Sequence, residues 1–239
     1  SRIIGLIYRI PMTEIIGDVG NNYYACAFDV YNVMLIISSY SLPLAVSKLV
    51  SARMAKGHRK KAYQILKGAL IFALVSGTIV ALIVYFGAEF FTARMLKTPN
   101  SIFALKVLAP ALVVVAVLGV LRGFFQGLGT MMPSAISQII EQIVNAIVSV
   151  WAAYVLFKVG ARTGAVLGDK EHYAAAYGAA GGTLGTNLGS VSALLFVLFV
   201  FIVYLRVFKA QMKRDRSVKV DSFAYTMKIL IFTIIPVLL

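Results

Sequence analysis

Arg122 and Gln126 stand among glycines at 119, 123 and 127, in a stretch otherwise apolar enough to lie inside a membrane. Small residues four apart form a smooth helix stripe that lets a second helix approach closely. An arginine at bilayer depth needs a partner or an aqueous cavity. The combination points to a transport bundle. Arg2 and Arg9, seven residues apart, project from one side of a helix and together make a phosphate-sized positive feature, because the planar guanidinium matches phosphate oxygens. An interfacial role for Arg2, near the start of the chain, is the competing reading.

Acidic and amide side chains follow the same periodicity. Ser134, Gln138, Glu141, Asn145 and Ser149 recur every three or four residues and stack on one helical face, while Ile139, Ile140, Ile143, Val144, Ile147 and Val148 cover the remainder. A carboxylate at mid-membrane costs about 2.5 to 3.5 kcal/mol unless hydrated, paired or protonated, so Glu141 is expected to face the bundle interior. It serves there either as a hydrogen-bonded lock between helices or as a cavity-lining, protonatable group. Asn22, Asp29 and Asn32 repeat the pattern more weakly, with Asp29 a possible counter-charge for an arginine of the first span, structural or gating. Among Gly178, Gly181, Gly182, Gly185 and Gly189, the residues 181, 185 and 189 share a stripe that serves packing or a hinge.

The elements that must position these groups are membrane helices. The chain is 60% hydrophobic and 13% charged, with mean hydropathy +0.88, against about 25% charge in a soluble domain. Uncharged windows at 30–47, 68–88, 107–121, 142–157 and 173–205 suit crossings of about 20 residues. The segment 3–16, with Pro11 as a kink, reads as the end of another span. The segment 227–239 reads as the start of one more, so both ends of the chain are expected to fall inside helices. No secretory signal peptide is expected at Ser1.

The net charge of +14 clusters between spans. Arg53, Lys56, Arg59, Lys60 and Lys61 share one side with Arg206, Lys209, Lys213, Arg214, Arg216 and Lys219. The other side holds Arg94, Lys97, Lys158, Arg162 and Lys170. Positive-inside bias puts the richer side, and the N-terminus, in the cytoplasm, where these residues set topology and touch anionic lipid headgroups. Nucleic acid is not an expected partner. Cys26 is the single cysteine, and His58 and His172 stand alone, so neither a disulfide nor a metal site is expected, and no cofactor. Clustered carboxylates, a serine–histidine pairing and a phosphate loop with its lysine are all missing, so neither catalysis nor ATP hydrolysis is expected. Uphill transport would draw on a gradient or a potential.

Four blocks carry a family resemblance: residues 1–11 (SRIIGLIYRIP), 43–50 (PLAVSKLV), 121–127 (LRGFFQG) and 133–142 (PSAISQIIEQ). In their order and spacing they resemble the polysaccharide-biosynthesis family of stage V sporulation protein B and YtgP, related to MurJ within the flippase superfamily that also holds MATE-like transporters. The resemblance implies an all-α, polytopic transmembrane bundle. This would be the N-terminal six-helix lobe, 1–208, with helices near 1–17, 22–52, 62–91, 101–128, 134–158 and 173–208. A basic cytoplasmic connection, 209–222, and the start of a seventh helix, 223–239, would follow. It implies translocation of undecaprenyl-diphosphate-linked lipid II, or a similar lipid-linked glycan, across the bacterial cytoplasmic membrane, with membrane lipids and a C-terminal lobe of the same protein as partners.

Arg2 matches a family cavity arginine directly. Arg9 falls one position from a second, where Tyr8 stands here, and uncharged residues at 37–40 replace a basic pair carried by many MurJ proteins. The expected substrate-binding set is Arg2, Arg9 and Arg122, with Asp29, Asn32, Gln126, Gln138, Glu141 and Asn145 at a cavity or gate. Two alternatives stand beside this: a drug or cation/proton antiporter of the same superfamily, and a noncatalytic scaffold for cell-wall enzymes.

Overall fold

A computed structural model describes the backbone at residues 2–39, 41–213, 225 and 228–233, and side chains within 9–39, 41–212, 225 and 228–233. The side chain of Arg2, the basic connection beyond Lys213 and most of the expected seventh helix lie outside the described residues. The elements are α1 (Arg2–Ser39), α2 (Leu42–Ala55), α3 (Arg59–Glu89), a π-helical turn (Phe90–Met95), a 3-10 turn (Pro99–Ser101), α4 (Ile102–Gly127), α5 (Met132–Leu167) and α6 (Lys170–Lys213). There is no strand among the described residues. Five stretches are long and apolar enough to cross a membrane: Arg9–Ala55, Arg59–Met95, Pro99–Gly127, Met132–Leu167 and Lys170–Met212.

The first of these stretches is folded on itself. Gly17 takes φ 67° and ψ −179°, a left-handed conformation that glycine reaches without steric cost. In an unbroken helix Met12 and Tyr24 would stand about 18 Å apart along the axis. Instead Met12 Sδ and the Tyr24 ring both reach Gly182, at 2.9 and 3.2 Å from where a Cβ there would lie. The chain therefore doubles back at Gly17, and Pro11 stays within helical backbone. The connection is a single residue, not the few residues that the sequence boundaries at 17 and 22 imply.

Two further boundaries differ from expectation. The helix expected over 22–52 is interrupted between Ser39 and Leu42. Pro43 occupies the first turn of α2, where its missing N–H costs nothing, and Ser38 and Ser39, the last residues of α1, bond to each other through their hydroxyls at 2.9 Å. α5 also continues well past 158, to Leu167, and α6 begins slightly before 173, at Lys170, with a tight joint between them where Gly168 has φ 81°. Charge at Lys158 and Arg162 does not end the helix. Gly160 and Gly164 keep the pair packed there: a Cβ on Gly164 would lie 2.8 Å from Lys170 Cα, and one on Gly160 3.0 Å from Ala174 Cα. With 36 residues, α5 spans about 54 Å, longer than a hydrocarbon core of about 30 Å.

Two apolar clusters hold the bundle. One packs Leu42, Val46, Leu66, Leu121, Phe124, Phe125 and Phe208 from α2, α3, α4 and α6. Within it the Phe124 ring meets Phe201 and Phe208 edge-on at 5.9 and 5.8 Å between centroids. The other gathers Met12, Ile16, Tyr23, Tyr24 and Tyr31 of α1 with Leu105, Leu108 and Leu112 of α4. α5 lies along α6 for most of its length but barely touches α4, its neighbour in sequence. A hollow opens where α4 and α5 part.

Candidate functional site

The glycine stripe of α4 explains where Arg122 can go. Gly119, Gly123 and Gly127 turn toward α2, so closely that a Cβ on Gly123 would stand 2.9 Å from Pro43 Cα, and one on Gly127 2.8 Å from the Ser47 carbonyl oxygen. Arg122 and Gln126, four apart, lie on the adjoining face, directed at α5. Arg122 Nε donates to Ser137 Oγ at 2.8 Å, and Nη2 donates to Glu141 Oε2 at 2.8 Å, a charge-assisted bond between side chains 14% and 22% exposed. Ser137 Oγ in turn donates to the Ser134 carbonyl oxygen at 2.8 Å. Gln126 Nε2 donates to Ser134 Oγ at 3.4 Å, and that hydroxyl donates to the Arg122 carbonyl oxygen at 3.4 Å. The arginine and glutamate that sequence placed at bilayer depth thus meet each other.

The network borders a hollow of about 230 Å³ lined by Leu35, Ser39, Pro43, Val115, Gly119, Arg122, Gln126 and Gln138. Four elements contribute, and the interruption before α2 brings Ser39 and Pro43 to its wall. Tyr31, buried in α1, lies within electrostatic reach of Glu141. The hollow's wall therefore carries one guanidinium, two primary amides and a serine hydroxyl among apolar residues, with the arginine's counter-charge, Glu141, bound beside it, an arrangement that can hold an anionic oxygen.

The polar stripe of α5 is divided between two neighbours. Ser134 and Glu141 address α4, and Gln138 is exposed at the hollow. Asn145, expected at a cavity, packs buried into the α5–α6 seam. There its Oδ1 accepts from Ser149 Oγ at 2.9 Å, and Ser149 also meets the Gly182 carbonyl oxygen at 2.8 Å. Gly185 and Gly189 leave room for this, since Cβ atoms there would fall 2.7 Å from the Asn145 and Glu141 carbonyl oxygens respectively. The α6 glycine stripe thus packs against α5.

The remaining candidates stand apart. Arg9 is exposed beside an open groove of about 440 Å³ that it shares with Ile10, Thr13 and Glu14. Asp29 has no ion-pair partner among the described residues, so the counter-charge role expected for it is not realised there. It borders a separate apolar groove of about 200 Å³ with Val33, Met34 and the π-turn residues Phe91 and Met95. Asn32 is exposed in the same half of α1. Sequence reasoning missed Ser137, one turn before Glu141 on the same face, and Asn187. The latter donates its Nδ2 to the Val107 carbonyl oxygen, near the break that Pro110 makes in the α4 hydrogen-bond ladder. Among the described residues no group of His, Cys, Asp and Glu is placed to hold a metal ion.

Comparison with known proteins places this arrangement in a family. A family model described as "Polysaccharide biosynthesis protein" matches residues 1–168, from α1 to the end of α5. The chain belongs to the polysaccharide biosynthesis protein family. Three similar proteins come from Bacillus subtilis (strain 168). The lipid II flippase MurJ is 33% identical over 167 residues, 66% of this chain and 31% of that protein. Stage V sporulation protein B is 30% identical over 139 residues, 58% of this chain and 27% of that protein. The uncharacterized membrane protein YabM is 29% identical over 161 residues, 67% and 29%. This family member spans under a third of the length of those relatives over the matched region. No solved structure matches. With its apolar helices and a flippase among its relatives, this member of the polysaccharide biosynthesis protein family is a multi-pass membrane protein.

Proposed function

We propose that this chain is the N-terminal lobe, 1–208, of a flippase that carries lipid II or a similar undecaprenyl-diphosphate-linked glycan across the bacterial cytoplasmic membrane by alternating access. The basic connection at 209–222 and a seventh helix begun at 223–239 lead into a second lobe. The observation that carries this reading is the hollow bordered by Arg122, Gln126 and Gln138 in the bundle of a chain related to a lipid II flippase. A diphosphate cannot cross hydrocarbon bare, because removing its charges from water costs many kcal/mol. A guanidinium and amides on inner helix faces replace that water, while the prenyl tail stays in lipid. Rocking of two lobes then exposes the hollow to each side in turn. Arg2 and Arg9 serve the same headgroup.

Exposure of Asp29, Asn32 and Gln138 favours a wet inner face over the scaffold alternative, which needs the polar faces of α1 and α5 sealed against each other. The test is rescue. The full-length protein, produced in cells depleted of their own lipid II flippase, restores growth and outward movement of lipid II, and Arg9→Ala together with Arg122→Ala removes the rescue while membrane insertion persists. Drug resistance without rescue would assign the protein to the antiporters instead.

A further inference from the structure

Arg122 is held in a graded way. Nε and Nη2 are bound to Ser137 and Glu141, whereas Nη1 has no acceptor among the described residues, and the side chain borders the hollow. Glu141 gives Arg122 a single bond, from Nη2 to Oε2, where a carboxylate free to approach a guanidinium takes two parallel ones. Its hold is anchored from behind, because α5 at Glu141 is pressed against Gly189 of α6, while α4 at Arg122 is pressed against Pro43 of α2. The two charges face each other across the place where their helices barely touch.

We propose that Glu141 is a resident competitor for Arg122, occupying the guanidinium when the hollow is empty and yielding it to a phosphate oxygen of the lipid-linked substrate, so that it sets how tightly that substrate is held and how readily it leaves. This rests on the flippase reading. The physical need is plain: an unpaired guanidinium in a low-dielectric hollow would hold a diphosphate too firmly to release it, and a carboxylate at 2.8 Å offers a second resting place of similar strength. Ser137 supports the exchange, since its bond to Nε keeps the guanidinium in place whichever anion Nη2 faces. Glu141 is then a positioning residue that acts through Arg122.

The full-length protein in phosphatidylcholine nanodiscs, titrated with undecaprenyl diphosphate, tests this. Glu141→Gln, whose amide oxygen still accepts from Nη2 without charge, should bind the probe on the order of tenfold more tightly, and its substrate should leave more slowly. Glu141→Asp, which keeps the charge on a shorter side chain, should fall between parent and Gln variant, and serves alone if the Gln variant does not fold. In an Arg122→Ala background the Gln substitution should change nothing, a coupling that a merely structural glutamate would not show. Binding by the parent with equal or weaker binding by Glu141→Gln and Glu141→Asp overturns the inference and leaves the flippase reading standing. Absence of binding by parent and variants alike overturns both.

Discussion

At Gly123 one missing methyl group decides whether α2 and α4 can meet. A Cβ there collides with the Pro43 main chain, which cannot shift without moving the start of α2, whereas one on Gly119 meets only the Pro43 ring, at 3.0 Å. Gly123→Ala is therefore expected to lower stability by about 1 to 3 kcal/mol, and Gly119→Ala by clearly less, as read from melting temperatures of purified protein in detergent. A larger loss at 119 than at 123 would contradict the packing described here. Both glycines were legible in the sequence as a close-approach stripe, because their spacing follows from helix periodicity alone. That the approaching segment is the Pro43 turn was not legible, since nothing local to 119–127 names its neighbour.

Among the elements, the α5–α6 pair is the longest continuous seam, running from Glu141 against Gly189 to Gly164 against Lys170. Membrane helices form individually before they associate, so a bulky residue in such a seam loosens tertiary packing and leaves helix content intact. Gly185→Leu should leave the far-ultraviolet spectrum unchanged but broaden or abolish the thermal transition, because the new side chain would occupy the space of Ser149 and the Asn145 carbonyl. An unaltered transition would mean that the two helices do not lie together as described. The apolar windows 142–157 and 173–205 lie inside these helices, whose facing ends reach beyond them to Leu167 and Lys170. Polarity reports where lipid stops, whereas Gly160, Gly164 and the Gly168 joint report where packing stops.

For the molecule as a whole, the distribution of charge makes a claim about orientation. The α2–α3 turn, with Arg53, Lys56, Arg59, Lys60 and Lys61, lies at the opposite end of the bundle from the α5–α6 joint, and the expectation from positive-inside bias is that it faces the cytoplasm. In a Cys26→Ala background, Lys56→Cys should react with an impermeant thiol reagent only after the cells are opened, and Leu167→Cys should react in intact cells. The reverse pattern would turn the topology over and, with it, the direction of transport. The exposed Ile71, Leu74, Val75, Ile79, Leu82 and Phe86 of α3 suit a lipid-facing wall in either orientation, since hydrocarbon accepts them at no cost.

Sequence alone determined that this chain crosses a membrane repeatedly, which helix faces are small or polar, and that Arg122 and Glu141 each need a partner. These are properties of single side chains and of a 3.6-residue period. Only the tertiary structure decided that the two charges satisfy each other, that the α5 stripe is shared between a hollow and a seam, and that the chain turns back on one glycine. Helix periodicity sets the direction a side chain takes around its own axis. What it meets depends on where the other axes lie, and that follows from how closely Gly123 lets α2 approach and Gly185 lets α5 approach.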